Sequence, residues 1–186
     1  MSKKTQFNIH YTRTAVPDNL KTVTMQKGIP GTITLLQKGV FIHTTSGLSV
    51  REFMVDEIGL SPEYAETRVR AIFVNGSPVD DIDGVKIKDG DEISLSGALP
   101  GISGIAMCRD TPIGAFRSDI SAKASGVVNS GEAKIHLKLF NLIAQEAGPT
   151  LLKKGVVVEA SQVQKYLKEN APNGLPPEGG LVLLKI

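Results

Sequence analysis

The sequence predicts an α+β protein in which short strands surround one clearly marked helix. Three observations lead to this fold class. Apolar and polar residues alternate with a period of two in residues 7–12 and again in residues 22–26, as they do in half-buried strands. Residues 49–59 carry the start and stop signals of a helix. Asn-Gly at residues 75–76 and Asp-Gly at residues 89–90 are dipeptides that turn the chain between neighbouring strands.

The composition is that of an ordinary globular protein. Of the 186 residues, 41% are hydrophobic and 22% are charged. No apolar run approaches the roughly 18 residues that a membrane helix needs. The two lysines near the N-terminus are not followed by an apolar stretch, so we expect no secretory signal. Cys108 is the only cysteine, which excludes an intrachain disulfide and favours a reducing compartment. We therefore expect a cytoplasmic protein without a membrane span.

Charge is unevenly distributed along the chain, although the net charge is only +2. Residues 1–48 carry a net charge of +5, residues 49–100 carry −6 and residues 101–186 carry +3. An acidic middle between basic ends favours head-to-tail or intramolecular contacts. The alternative is a solvated surface whose uneven charge has no binding role.

The N-terminal region is predicted to be β structure. Residues 6–12 and residues 22–26 each place apolar side chains at every second position, which predicts two strands. The sequence GIPG at residues 28–31 then indicates a turn. The apolar runs at residues 32–36 and 40–43 are separated by Gln-Lys-Gly, and we expect them to form a hairpin.

The helix after this region is the element with the clearest signals. Ser49 and Glu52 have the spacing of a capping box, in which each side chain satisfies a backbone N–H group at the helix start. Gly59 can adopt the left-handed conformation that ends a helix. Pro62 suits the first turn of a second, short helix, because that position needs no N–H donor.

Three strands and a turn-rich exit are predicted next. The strands are expected at residues 69–74, 85–88 and 93–95, joined by the Asn-Gly and Asp-Gly turns. The sequence GALPGISG at residues 97–104 follows the last of them. We interpret it as the boundary of a first domain that spans residues 1–101.

The remainder is predicted as an irregular connection at residues 102–130 and a mixed α/β region at residues 131–186. Polar side chains recur at helical spacing in residues 132–147, which predicts a helix buried on most sides. The other predicted elements are a strand at residues 155–159, a helix capped by Ser161 and Gln164, and a strand at residues 181–186.

One heptapeptide recurs in the chain. Residues 34–40 read TLLQKGV and residues 150–156 read TLLKKGV, with one difference. The flanking residues do not continue the match. Shared turn chemistry or chance therefore explains the repeat better than a duplicated domain does.

The middle of the chain resembles a known family. Residues 72–79 read IFVNGSPV and residues 85–93 read VKIKDGDEI. These two sequence motifs resemble the pattern of the ubiquitin-like sulfur carriers. That family includes the small subunit of molybdopterin synthase and the carrier of the thiamine pathway. The resemblance covers about residues 31–101. It implies a β-grasp (ubiquitin-like) core, and it supports a fold more than a function.

Carrier chemistry would require a free C-terminal Gly-Gly. The corresponding segment here, residues 99–104, reads LPGISG and continues into a long C-terminal region. A carrier would therefore have to be matured by proteolysis, after Gly101 or after Gly180.

A second resemblance suggests RNA binding. A small RNA-binding domain, found in a ribosomal small-subunit protein and in many pseudouridine synthases, also runs helix, helix and then VNG and GD motifs. Such a domain presents cations to phosphates. The segment offers Arg51, Arg68 and Arg70, but it lies within the acidic residues 49–100.

The sequence predicts neither a catalytic site nor a cofactor or metal site. His10, His43 and His136 are far apart and lack Cys or His partners at ligand spacing. The acidic run at residues 80–84 lacks the ligand pattern of a calcium loop. Cys108 has no suggested histidine partner, so we expect it to be a small core residue.

We therefore expect a non-enzymatic binding or assembly module that contacts another protein or a second copy of itself. Its contact surface is predicted where the sheet ends and the exit begins, because apolar residues cluster there. The predicted contact residues are Leu95, Ala98, Leu99, Pro100 and Ile102.

Overall fold

A computed structural model describes residue 17, residues 19–177 and residues 179–186. The strand predicted at residues 6–12 lies outside them. The described residues form a mixed α+β fold in which helices cover one face of an eight-stranded sheet.

The eight strands of the described residues form one mixed sheet. They are β1 Lys21–Thr24, β2 Val40–Thr45, β3 Ala71–Val74, β4 Ser77–Pro78, β5 Glu92–Ser96, β6 Glu132–Leu139, β7 Val156–Glu159 and β8 Leu181–Lys185. Their order across the sheet is β1-β8-β7-β2-β6-β5-β3-β4. The β1–β8 and β5–β6 pairs are parallel, and the other neighbours are antiparallel.

Seven α-helices lie in the described part of the chain. They are α1 Thr32–Lys38, α2 Val50–Glu52, α3 Pro62–Thr67, α4 Gly101–Met107, α5 Asn141–Glu146, α6 Gly148–Lys154 and α7 Ala160–Leu167. A π-helical segment, Phe53–Ile58, continues α2, and short 3-10 turns occupy Gly114–Arg117 and Lys168–Asn170. The core forms between the helices and alternate residues of the strands, so the other alternate residues of the central strands face away from it.

The strand predicted at residues 32–36 is wrong, because these residues form α1. Gly31 starts the helix in the left-handed conformation, and the Thr32 hydroxyl donates to the Ile29 carbonyl at 2.6 Å. Leu35 and Leu36 are both buried against the core. Two adjacent buried leucines fit a helix better than the alternation of a strand, but a short apolar run does not distinguish the two from sequence.

The helix predicted at residues 132–147 is also wrong. Residues 132–139 form β6, in which Ala133, Ile135, Leu137 and Leu139 are buried at every second position. The polar residues between them also fit a period of two. The helix begins only at α5, after the chain turns at Phe140.

The capped helix is confirmed in its predicted place. The Ser49 hydroxyl accepts from the Glu52 N–H at 3.1 Å, and a Glu52 carboxylate oxygen accepts from the Ser49 N–H at 2.6 Å. Gly59 ends the π-helical segment with φ 90°. The capping box predicted at Ser161 is not formed, because α7 begins one residue earlier and no side chain caps it.

We expect Ser49→Ala to lower the free energy of unfolding by about 1 kcal/mol, because the substitution leaves a helix N–H without its acceptor. Urea unfolding measures the change. Ser130, which is exposed, provides the control, and Ser130→Ala should stay within about 0.5 kcal/mol of the original protein. Equal stability of the two variants would contradict the role of the cap.

Of the two predicted turns, one closes a hairpin. Asn75 and Gly76 have φ 51° and 80° and connect β3 to β4, as predicted. The strand predicted at residues 85–88 is wrong, since this segment makes only a bridge to the start of α2. The Asp-Gly turn at residues 89–90 therefore leads from this segment into β5, which pairs with β3 and β6.

The repeated heptapeptide marks two equivalent helix–glycine–strand connections. Gly39 joins α1 to β2 with φ 112°, and Gly155 joins α6 to β7 with φ 92°. Phe41 pairs directly with Val157, and both residues lie two positions after the glycine. In both connections a glycine at positive φ ends the helix, which agrees with shared turn chemistry.

In the sheet, strands that precede the predicted connection at residues 102–130 are interleaved with strands that follow it. From the region predicted as residues 131–186, β6 and β7 lie on either side of β2, and β6 also pairs with β5. The division into domains stays a prediction. The two regions share one core.

Candidate interaction surface

The predicted contact residues lie in different environments. Leu95 is fully buried on the helix-covered face of β5, so it does not reach the surface. Ala98 and Pro100 are exposed, and Leu99 is half-buried. Ile102, on α4, has 82% of its surface exposed. Whether these residues bind a partner stays a prediction. All of them except Leu95 lie in the segment that follows β5.

We call residues 97–131, which connect β5 to β6, the strap. It contains five of the six large apolar residues that are exposed in the described part of the chain, and Leu142 is the sixth. Exposed apolar side chains that occur together on one segment mark a candidate interaction site. The five strap residues are Ile102, Ile105, Phe116, Ile120 and Val127.

A buried arginine holds the first part of the strap. Arg109 is only 2% exposed, and its guanidinium donates to the carbonyls of Ala65, Glu66 and Val69 at the end of α3, at 2.9 to 3.3 Å. Burial lowers the pKa of Arg109, and the Glu66 carboxylate 3.9 Å away opposes this effect. Arg70 and Arg109 also exchange two hydrogen bonds of 2.7 Å, so the strap is fixed to the start of β3.

A second buried arginine holds the middle of the strap. Arg117 makes a two-pronged contact with the Asp80 carboxylate, at 2.6 and 2.9 Å. Its guanidinium also donates to the Ala106 and Cys108 carbonyls and to the Ser121 hydroxyl. Bidentate pairs of this kind fix both position and orientation. The exposed Phe116 therefore adjoins a side chain that is held in place.

The strap passes the β4 edge of the sheet. The Ala122 N–H donates to the Pro78 carbonyl at 2.7 Å, and the Ser125 hydroxyl accepts from the Lys86 N–H at 2.9 Å. Contacts of this kind cover an edge that would otherwise offer free backbone groups. Cys108 is buried, and its thiol contacts the Leu99 N–H at 3.4 Å. The strap thus presents apolar side chains on a frame tied to the sheet.

A pocket of about 290 Å³ opens on the sheet face that the helices leave uncovered. We call it the sheet pocket. Phe73 of β3 and Phe140 after β6 lie on opposite sides of β5, whose small Ser94 and Ser96 leave the space between them. Its remaining lining residues are Gly76, Glu92, Leu99 and Asn141.

A charged cluster borders the sheet pocket. One oxygen of the Glu92 carboxylate, Oε2, contacts Nζ of Lys138 at 2.7 Å and Nδ1 of His136 at 3.1 Å. The hydrogen bond from Lys138 lowers the pKa of Glu92, although burial acts in the opposite direction. On the same face, Lys134 lies 5.0 Å from the centre of the Phe41 ring.

An apolar groove of about 240 Å³ lies between α1 and α6. Leu36 and Leu152, which occupy equivalent positions in the repeated heptapeptide, both line it together with Ile29 and Ile186. The groove has few polar groups.

No group of three His, Cys, Asp or Glu side chains among the described residues is close enough to hold a metal ion. His136 is engaged with Glu92 and the Phe41 ring, and His10 lies outside the described range. No helix in this part of the chain is long and apolar enough to cross a bilayer.

Sequence reasoning located the exit of β5 but missed most of the strap and the whole sheet pocket. Ile102 can be identified from the sequence because it lies within the turn-rich residues 97–104, whereas Phe116 lies in a stretch without periodicity. Alternation of Glu92, Ser94 and Ser96 on one face of β5 is the signal for the pocket, but it has meaning only once the neighbouring strands are known. Comparison with protein-family models, curated proteins and solved structures finds no match to this chain.

Proposed function

We propose that this protein is a non-enzymatic assembly module that binds a second copy of itself through the exposed apolar side chains of the strap. The observation that carries the proposal is the concentration of exposed apolar residues on one segment held by two buried arginines. A fixed segment loses little conformational entropy on binding, which favours its use as an interface.

Charge supports a second copy as the partner. Residues 49–100 carry −6, while residues 101–186 carry +3, so the acidic part of one copy attracts the basic part of another. The apolar side chains would supply most of the affinity, at about 1.5 to 3 kcal/mol for each large residue that becomes fully buried.

The proposal includes a β-grasp core related to the ubiquitin-like sulfur carriers. The predicted hairpin ahead of the capped helix fails because α1 replaces one strand, but β6 pairs antiparallel with β2 and thus supplies the missing strand. β6 also pairs with β5, which pairs with β3. We infer that the β-grasp core consists of β2 to β6 packed against α2. In this core β6, at residues 132–139, takes the place of the first β-grasp strand, although it is the last of the core strands in the chain.

Two alternative functions stay predictions. RNA binding of the helix-helix-VNG type would use Arg51, Arg68 and Arg70, but Arg51 and Arg68 are engaged with the carboxylates of Asp83 and Glu146. A matured sulfur carrier would require cleavage after Gly101 or Gly180, which the intact mass of the cellular protein would reveal.

We expect the protein to self-associate, and the Ile102→Ser, Phe116→Ser double variant to weaken this association by at least about 100-fold, because two apolar contacts of about 1.5 kcal/mol or more are lost. Analytical ultracentrifugation over a range of concentrations measures the association. Leu142→Ser is the matched control, since Leu142 is also exposed but lies outside the strap.

Either of two results would overturn this function. The original protein could stay a monomer at every concentration up to about 100 μM, which corresponds to very weak affinity. Alternatively, the double variant could associate as strongly as the Leu142→Ser control.

A further inference from the structure

We propose that the sheet pocket binds an amino-bearing nucleobase, such as the adenine or cytosine of a nucleotide. The pocket lies on the uncovered face of the sheet and shares only Leu99 with the strap, so base binding is a separate proposal from self-association. Four features of the pocket lead to this ligand class: its two aromatic walls, its small floor, its amide group and its charged rim.

The walls and the floor form a slot for a flat ring. Phe73 lies opposite Ser94 across one strand pair, and Ser94 lies opposite Lys138 across the next. The two strands that flank β5 are therefore about 10 Å apart. Phenyl rings on both sides of a floor of two serines leave room for one aromatic ring, which gains about 1 to 3 kcal/mol by stacking on a side chain. The volume of about 290 Å³ suits a single base or nucleoside.

An amide group is positioned at one end of the slot. Asn141 lies at φ 52°, in the left-handed region that asparagine adopts more readily than most residues, and its Nδ2 donates to the Ser96 hydroxyl at 3.0 Å. This hydrogen bond fixes the amide beside the serine floor. An asparagine amide can both donate to and accept from the edge of a base, adenine in particular.

A carboxylate oxygen is available at the other end. Lys138 and His136 both contact Oε2 of Glu92, whereas among the described residues no donor contacts Oε1. Since the pKa of Glu92 is lowered by Lys138, the group is ionised at neutral pH. A carboxylate accepts from the exocyclic amino group of a base, as glutamate does with cytosine. Uracil, which has no amino group, lacks this interaction.

The charges around the pocket are complementary to a nucleotide. Lys134 and Lys138 project from β6 on the uncovered face of the sheet, where they can attract a phosphate while Glu92 accepts from the base. The base could come from a free nucleotide or from single-stranded nucleic acid. Both sources share this chemistry, and the phosphate backbone distinguishes them.

Isothermal titration of the full chain with AMP, UMP and a ten-residue oligoadenylate tests the proposal. We expect AMP to bind with a Kd below about 1 mM and UMP to bind at least about 10-fold more weakly. Phe73→Leu should weaken AMP binding by about 10-fold or more, because it keeps an apolar side chain but removes the aromatic face. Tyr166→Leu, on α7 and away from the pocket and its charged rim, also replaces an aromatic ring and should bind AMP as the original protein does.

Each outcome decides the question. Absence of saturable binding by all three probes would overturn the proposal, and so would equal losses in Phe73→Leu and Tyr166→Leu. Glu92→Ala should abolish the preference for AMP over UMP, because alanine has no acceptor oxygen, and a retained preference would refute the role of the carboxylate. Oligoadenylate that binds more tightly than AMP and weakens with salt identifies single-stranded nucleic acid as the source, whereas equal affinity identifies the free nucleotide. A urea midpoint close to that of the original protein would show that Phe73→Leu is folded.

Discussion

Replacing Arg109 with alanine is expected to lower the free energy of unfolding by about 3 to 5 kcal/mol. The substitution removes a buried charged group and leaves its hydrogen-bond partners without a donor. The guanidinium satisfies the carbonyls of Ala65, Glu66 and Val69, at the end of α3, where helix carbonyls lack partners within the helix. Positive charge also interacts favourably with the C-terminal end of a helix. Alanine would leave a cavity and several unpaired carbonyls in its place.

Urea unfolding of Arg109→Ala should give a lower midpoint than that of the original protein. Arg68→Ala is the matched control, because Arg68 is an exposed arginine near the same helix end that contacts Glu146 at 3.0 Å. Its loss should cost about 1 kcal/mol or less, as is usual for surface ion pairs. If the two variants have the same stability, Arg109 does not hold the strap. Faster proteolysis between residues 97 and 131 in Arg109→Ala would locate the loosened segment.

Gly31→Ala is expected to cost about 2 to 5 kcal/mol. At φ 89° an alanine would be in the left-handed conformation, which costs about 1 to 2 kcal/mol of conformational free energy. In addition, an added Cβ would overlap the backbone carbonyl of Tyr166, near the end of α7. A backbone group cannot rotate away as a side chain can, so α1 and α7 would have to separate, at a further cost of about 1 to 3 kcal/mol.

The matched control for this prediction is Gly28→Ala. Gly28 has a similar φ of 79°, but a Cβ there would meet no atom within 4 Å. Its substitution should cost only the conformational strain, about 1 to 2 kcal/mol. Thermal or urea unfolding of the two variants isolates the cost of the helix contact. Equal losses would show that α1 and α7 do not depend on close approach at Gly31.

The sequence was sufficient where the information is local. Ser49, Glu52 and Gly59 interact within one helix, and Asn75 with Gly76 forms its own turn, so these elements are confirmed. The α+β class follows from such local signals. The two errors in element type arise where periodicity is ambiguous: α1 is too short to show a helical stripe, and the polar residues of β6 satisfy both periods.

The candidate sites depend on long-range contacts, which a single sequence does not display. Arg117 acts as an anchor only because Asp80, far away in the chain, reaches it. Phe73 and Phe140 form the walls of one pocket only because β5 lies between their strands. Local signals found Ile102 and Leu99, whereas the partners that make them part of a surface come from tertiary structure.

The position of β8 has a consequence for how the chain folds during its synthesis on the ribosome. This strand is made last among those described, yet it is inserted between β1 and β7. At roughly 5 to 20 residues per second, β1 leaves the ribosome on the order of 10 s or more before its neighbour exists. During that interval its hydrogen-bonding groups are open to other chains, so the nascent protein is most exposed to aggregation, and to chaperone capture, just before synthesis of residues 181–185.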